Sequence, residues 1–445
     1  MKKKCLTIWL IGLQFCLLAQ TNPSATLPNP AANTTTPKPN PPSFTWYGFA
    51  RNDLNIDSRL SEFVREGQLN LWPKGKDIVN GKDFNDKSQL NILGILTRLG
   101  VKINGPDVLG AKLSGQIEGD FFGQAEANIG LLRLRHGFVK LEWTKSALLF
   151  GQTWYPLFIP EAFPGVVNFS TGIPIAPFGW AGQIKFSKTL SKDLFLHLTA
   201  YKPREFADAS VSYANQPATS SASSSPNFAS MNATLPELNA HIQYKSDKFI
   251  LGAQIDYSVL IPYTKDVNAA GTAVINNASV SATTLMAYTK IVTKPVSIKA
   301  QFIAAEDATH WVMMGGFLEY RDANKMVSYK PTKTTSIWGE VYGNGKKWIP
   351  GIFIGYTSND GANPGATIGY GRMVGISGYG IKDILRISPR IEYVAGKLKF
   401  GVEVEQTTAN WGTRGNDGKV ITGDATKPID AITNTRFTFS TIYSF

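Results

Sequence analysis

Cysteine is almost missing from this chain. Its 445 residues include only Cys5 and Cys16, both in an apolar stretch at the N-terminus. That excludes a disulfide framework and any thiol chemistry in the remainder. Histidine is scarce too: His136, His197, His241 and His310 lie far apart, without zinc-site spacing. No G-x-S-x-G nucleophile motif occurs near them. Charged residues make up 18% of the chain, below the roughly 25% of an ordinary soluble domain. No apolar run past the N-terminus reaches about 18 residues, which excludes a bundle of membrane-spanning helices. The balance is basic, at +12, yet it is spread along the chain, so nucleic-acid binding is not expected. No cofactor or metal is expected either.

The N-terminus reads as an address. Lys2, Lys3 and Lys4 precede an apolar region from Leu6 to Leu18, and Ala19 suits a cleavage site. Residues 1–19 are therefore expected to be a secretory signal peptide, being too short to span a bilayer comfortably. Gln14 and Phe15 ahead of Cys16 do not fit a lipidation signal. Removing the three lysines lowers the charge from +12 to +9. Residues 20–43, rich in Pro, Asn, Thr and Ala, predict an extended flexible leader with no core to bury.

From residue 44 the pattern has a period of two. At the C-terminus, Phe437, Phe439, Thr441, Tyr443 and Phe445 share one face, opposite Arg436, Thr438, Ser440, Ile442 and Ser444. The same alternation places Lys112, Ser114, Gln116, Glu118 and Asp120 opposite Leu113, Ile117 and Phe121. It places Arg386, Ser388, Arg390 and Glu392 opposite Leu385, Ile387 and Ile391. Each is a strand with one greasy face. About sixteen such segments recur, beginning near 44, 87, 108, 130, 146, 180, 193, 236, 248, 281, 296, 334, 347, 381, 397 and 430. Tight connections such as Ser246 to Lys248 and Thr293 to Pro295 alternate with long ones such as 56–86, 152–179, 204–235 and 307–333. Short turns on one side and long loops on the other predict an all-β fold: a transmembrane antiparallel β-barrel of about 16 strands over residues 44–445. Roughly 25 residues are available per strand and connection, enough for strands of about ten. A soluble all-β sandwich would also alternate, with its apolar faces turned inward. Against it stand charged polar faces, aromatics on the apolar faces and a terminal aromatic strand. Tyr443 and Phe445 resemble the signal read by the barrel-assembly machinery.

If the greasy face meets outer-membrane lipid, the other face lines an aqueous lumen. Its expected lining includes Arg98, Lys102, Arg133, Arg135, Arg386, Arg390 and Arg436, with acids Asp53, Glu118, Asp120, Glu403 and Glu405. Arginine ladders in a pore wall attract anions, so small anionic solutes are the expected partners. The segment 152–179, with five prolines and six aromatics, is too apolar to float in water. It is expected to fold inward and narrow the pore, with Trp154, Glu161 and Phe163 at the constriction. His136 shares its parity with Leu132, Leu134 and Phe138, which predicts a lipid-side or bulged position rather than a catalytic one.

One stretch carries a family likeness. Ile117-Glu118-Gly119-Asp120-Phe121-Phe122-Gly123, then Leu132-Arg133-Leu134-Arg135-His136-Gly137-Phe138, then Leu149-Phe150-Gly151-Gln152-Thr153-Trp154, resembles the DcaP-like porins, trimeric outer-membrane barrels of Gram-negative bacteria. The resemblance implies sixteen strands, a homotrimer, and passage of small, often anionic solutes. It also implies inward-facing arginines near the constriction, here Arg133 and Arg135. Family members often have a helical coiled-coil segment before the barrel, and the Pro-rich 21–43 cannot form one. Two other function classes compete. An outer-membrane enzyme would need a base among the four histidines. A surface adhesin or structural barrel would bind through loops 204–235 and 411–429.

Overall fold

Alternating polar and apolar residues can bury one face only if the strands find neighbours on both edges, and closing the sheet satisfies every edge at once. The computed structural model describes residues 41–204, 228–322, 324, 326–362, 369–370, 380–414, 420–421 and 430–445. The expected signal peptide and most of the leader lie outside these residues. The remainder forms a closed 16-strand antiparallel barrel. In chain order the strands are β1 (Ser43–Asp57), β2 (Gln89–Leu93 resuming as Arg98–Asn104), β3 (Lys112–Asp120), β4 (Arg133–Glu142), β5 (Ser146–Trp154), β6 (Trp180–Ser191), β7 (Leu194–Pro203) and β8 (Glu237–Lys245). They continue as β9 (Phe249–Leu260), β10 (Val280–Val292), β11 (Val296–Glu306), β12 (Lys333–Gly343), β13 (Trp348–Gly361), β14 (Ile381–Ala395), β15 (Leu398–Trp411) and β16 (Asp430–Ser444). Closure is made by β1 on β16, in register from Phe49 opposite Ser444 to Asp57 opposite Arg436.

The polarity of the two faces is inverted relative to a soluble protein. Along β9, Leu251, Ala253, Ile255 and Tyr257 are exposed, while Gly252, Gln254, Asp256 and Ser258 are buried. Along β16, Phe437, Phe439 and Tyr443 are exposed, while Asn434, Arg436, Thr438 and Ser440 are buried. Apolar-out, polar-in is what a hydrocarbon surround demands and what a soluble sandwich forbids.

β2 is interrupted at 94–97, and β1 pairs with both halves. Thr97 fills the gap: its Oγ1 accepts from the Arg51 amide at 3.2 Å and donates to the Arg51 carbonyl at 3.4 Å. The ladder is thus patched by a side chain, which satisfies both main-chain groups of Arg51.

Three long connections turn back into the lumen. Residues 58–88 carry a hairpin, Ser61–Val64 against Leu69–Pro73. Its tip passes through Arg65, Glu66 and Gly67 at φ of 58°, 52° and 85°. Residues 155–179 form the second infolded connection and 307–332 the third. Leu69, Leu71 and Trp72 of the first meet Phe158, Phe169, Ile173 and Phe178 of the second, and Val312 and Met314 of the third, in one apolar cluster. A greasy cluster inside a polar barrel is stable because the loops cover one another.

Candidate functional site

The middle of the lumen is organised by loop 155–179, which leaves β5 and reaches the wall of β11 to β15 and β1. Its backbone does the anchoring. The Gly165 amide donates to Glu340 Oε2 at 3.0 Å, and the Val167 amide donates to Glu403 Oε2 at 2.6 Å. The Asn168 amide reaches Glu403 Oε1 at 3.4 Å, and its side chain reaches Glu405 Oε2 at 3.1 Å. In return, Arg51 Nη2 donates to the Val167 carbonyl at 2.6 Å and Lys299 Nζ to the Phe163 carbonyl at 2.9 Å. Charge-assisted bonds of this kind are the strong ones in proteins.

Below the loop lies a chamber of about 640 Å³. Its charged lining is Arg51, Arg98, Arg135, Lys299, Arg390 and Lys399, against the single carboxylate of Glu392. Loop aromatics Phe158, Phe163, Phe169 and Phe178 face the same space. Acids do accompany the cations, set mostly behind them. Arg51 pairs with Asp53 at 2.9 Å, Arg98 with Glu118 at 3.6 Å, and Lys399 with Glu392 at 2.7 Å. Lys299 pairs with Glu340 at 3.1 Å, and Arg390 bonds the same carboxylate. The arrangement places positive charge toward the space and negative charge toward the wall.

The wall of β3 and β4 holds the motif residues. Arg133 pairs with Asp120 at 2.6 Å, and Arg135 with Glu118 at 2.7 Å and Asp120 at 3.0 Å. Trp180 has Arg133 at 4.5 Å and Arg135 at 4.4 Å from its ring centroid, both cation–π contacts. A β-bulge at Glu118/Gly119 puts Arg135 out of the two-residue alternation. It turns both Arg135 and His136 inward. His136 is therefore buried rather than lipid-facing, with Nδ1 2.9 Å from Thr153 Oγ1 and Nε2 3.6 Å from Glu118.

The residues expected to line the pore separate into two groups. Arg98, Arg135 and Arg390 border the chamber, and Lys102 is exposed, with its ammonium 5.4 Å from the Tyr47 ring centroid. Arg133, Arg386 and Arg436 lie on the lumen face but are covered. Arg386 bonds the carbonyls of Ile173, Asn70 and Leu71, and Arg436 bonds Asp57 at 2.6 Å and the Gly67 carbonyl at 2.7 Å. Both fasten infolded loops. Glu118 and Asp120 are buried counterions.

Trp154 stacks on Phe158 at 4.1 Å and Trp180 at 4.6 Å, Phe163 stacks on Phe158 at 5.2 Å, and Glu161 bonds Lys245 at 3.0 Å. Burial alone would raise the Glu161 carboxyl, but Lys245, with Lys185 adding, holds it below the usual carboxylate range. Tyr443 and Phe445 are exposed on the outer face, and the Phe445 amide donates to the Gly48 carbonyl at 3.1 Å. Loops 204–235 and 411–429, proposed for an adhesin, fall largely outside the described residues. Sequence reasoning missed Arg51, Lys299 and Glu340. For Arg51 the signal was present, since it shares parity with Asp53.

No family model and no curated protein matches the chain. Solved structures do. The outer membrane channel DcaP of Acinetobacter baumannii aligns with a TM-score of 0.60 at 18% identity, covering 91% of this chain and 98% of that one. The chain has the porin fold. The anion-selective porin from Comamonas acidovorans aligns with a TM-score of 0.52 at 10% identity, covering 91% and 100%. At these identities the likeness to the porins is one of fold.

Proposed function

We propose that this protein is a porin of the Gram-negative outer membrane, a water-filled channel for passive diffusion of small hydrophilic solutes with a preference for anions. The observation that carries the reading is the chamber under loop 155–179, whose lining has six basic side chains and one carboxylate. A cation-lined constriction raises local anion concentration and rejects cations. The chain's surroundings in this reading are outer-membrane lipid, the barrel-assembly machinery acting on the Tyr443/Phe445 end, and two further copies in a homotrimer. Residues 1–19 direct export, and 20–43 serve as a leader. In this reading the protein acts as a channel and not as an enzyme, and His136 serves the wall, where Thr153, Glu118 and Trp154 surround it.

The test is conductance of the purified barrel in a planar bilayer, with the reversal potential read under a KCl gradient. Open steps with chloride favoured over potassium, in three equal substeps, are expected. Cation selectivity would refute the anion preference, and a folded barrel that passes no current would refute the channel.

A further inference from the structure

A second chamber of about 380 Å³ lies under the first part of loop 155–179, against β5 to β8. Trp154, Phe158 and Pro160 border both chambers. Its chemistry is different. Its apolar lining is Leu149, Ile159 and Phe195 with those shared residues, Leu149 lying opposite Lys185 and Phe195 opposite Gln243 in the wall. Its polar lining includes Lys185, Gln183, Gln243 and two histidines. Lys245 and Glu161 neutralise each other at 3.0 Å. Lys185 remains: among the described residues it makes no ion pair, and its nearest acid influence, Glu161, is already bonded to Lys245. The formal charge of the lining is therefore one positive, from two lysines and one glutamate.

The histidines are fixed in place. His197 and His241 face each other across β7 and β8, with ring centroids 5.1 Å apart. His197 Nδ1 lies 2.8 Å from Ser187 Oγ, and His241 Nε2 lies 2.7 Å from the Tyr288 hydroxyl. Gln243 donates to the same hydroxyl at 2.6 Å. Each ring thus has one nitrogen held by the wall, and both rings border the chamber. The adjacent lysine makes this a poor place for a metal cation and a good one for an anion.

We propose that this chamber is a binding site for a small monocarboxylate with an apolar tail. The Lys185 ammonium receives the carboxylate, a histidine N–H supports it, and the tail lies on Phe195, Leu149 and Phe158. One unpaired ammonium matches one carboxylate; the greasy wall repays a tail of several carbons and gives nothing to acetate. The inference rests on the porin reading only for how the solute arrives.

The experiment is calorimetric titration of the purified full-length barrel in detergent with hexanoate, using empty micelles as the blank. Saturable binding is expected, weaker by about fifteenfold for butyrate, at roughly fourfold per methylene lost, and absent for hexylammonium. Lys185→Gln should weaken hexanoate about tenfold or more, the scale of losing a charge-assisted hydrogen bond, and Lys185→Arg should restore it. Heat-modifiable mobility on gels verifies that both variants fold, and the arginine variant keeps the test decisive if the glutamine variant does not. A flat hexanoate titration overturns the site, as does undiminished binding by Lys185→Gln or equal binding of acetate. Because binding is read without current, a barrel that conducts but does not bind sinks this inference alone. A barrel that binds but does not conduct sinks the porin reading and leaves the site standing.

Discussion

Glu340 is where loop position and pore charge meet, and replacing it by glutamine separates the two. The carboxylate is fully buried, receives Lys299 Nζ at 3.1 Å and Arg390 Nη2, and accepts the Gly165 amide of the loop at 3.0 Å. Glu340→Gln keeps the shape and one acceptor oxygen but removes one negative charge behind two chamber cations. The gain in field can be worked out. One unit charge at about 5 Å from a passing ion in a watery effective dielectric of about 80 is worth ~0.8 kcal/mol. That is about a fourfold advantage for anion entry, with a comparable penalty for cations. At 0.1 M salt the Debye length is about 10 Å, so screening trims the effect without erasing it. The same change strips a buried ion pair of its negative partner, at about 3–5 kcal/mol where nothing compensates, so the loop anchor should loosen. Reversal potential in a planar bilayer should therefore shift toward chloride, while open-channel noise rises and the heat-modification midpoint falls. An unchanged reversal potential, or a shift toward potassium, would refute the placement of Lys299 and Arg390 in the ion path.

Three further outcomes follow from the structure. Connection 307–332 should loosen as pH rises. Burial lifts the Asp307 carboxyl from 3.8 to about 7, and His310, despite burial, is raised by Glu237 at 3.1 Å and by Asp307 and Asp256. Both groups prefer the protonated form when docked, so their stabilisation is full below pH 3.8 and lost as pH climbs through about 7 and beyond. Limited proteolysis between pH 6 and 9 should show increasing cleavage there; Asp307→Asn should flatten the trend. Deleting residues 61–73 removes Leu69, Leu71 and Trp72 from the lumen cluster and should raise single-channel conductance, and equal conductance would show that the hairpin lies off the path. Phe445→Ala removes an exposed aromatic and should lower yield in cell outer membranes while purified chain still folds in detergent; unchanged yield would remove Phe445 from the assembly signal.

The barrel was legible because a membrane wall imposes polarity strand by strand. Expected starts near 146, 180, 296, 381 and 430 match Ser146, Trp180, Val296, Ile381 and Asp430. Parity also placed Arg390 and Glu403 on the lumen side. At His136 it left a lipid-side or a bulged position open, and the structure has the bulge, a one-residue backbone choice with no compositional mark. Parity hid Glu340. On that strand Thr334, Ser336, Trp338 and Glu340 are the buried set, and nothing in the alternation sets the carboxylate apart from its neighbours as the group that meets Lys299, Arg390 and the loop. The apolar character of 152–179 foretold its infolding, but not the carboxylates that receive it, which come from strands far away in sequence. The second chamber has the same origin: Lys185 reads as one more lumen lysine until loop and wall are seen to leave it alone.

The way loop 155–179 is held bears on how such a channel could change. Wall carboxylates grip Gly165, Val167 and Asn168 largely through main-chain amides, which every residue except proline supplies. Side chains projecting from the loop are then nearly uncoupled from its attachment. Substitution at Phe163, which borders the chamber, would reshape that space while the main-chain anchorage stayed intact. Mutational drift in what the channel admits is thereby separated from the risk of losing the loop's attachment, so a lineage could retune its diet one loop residue at a time.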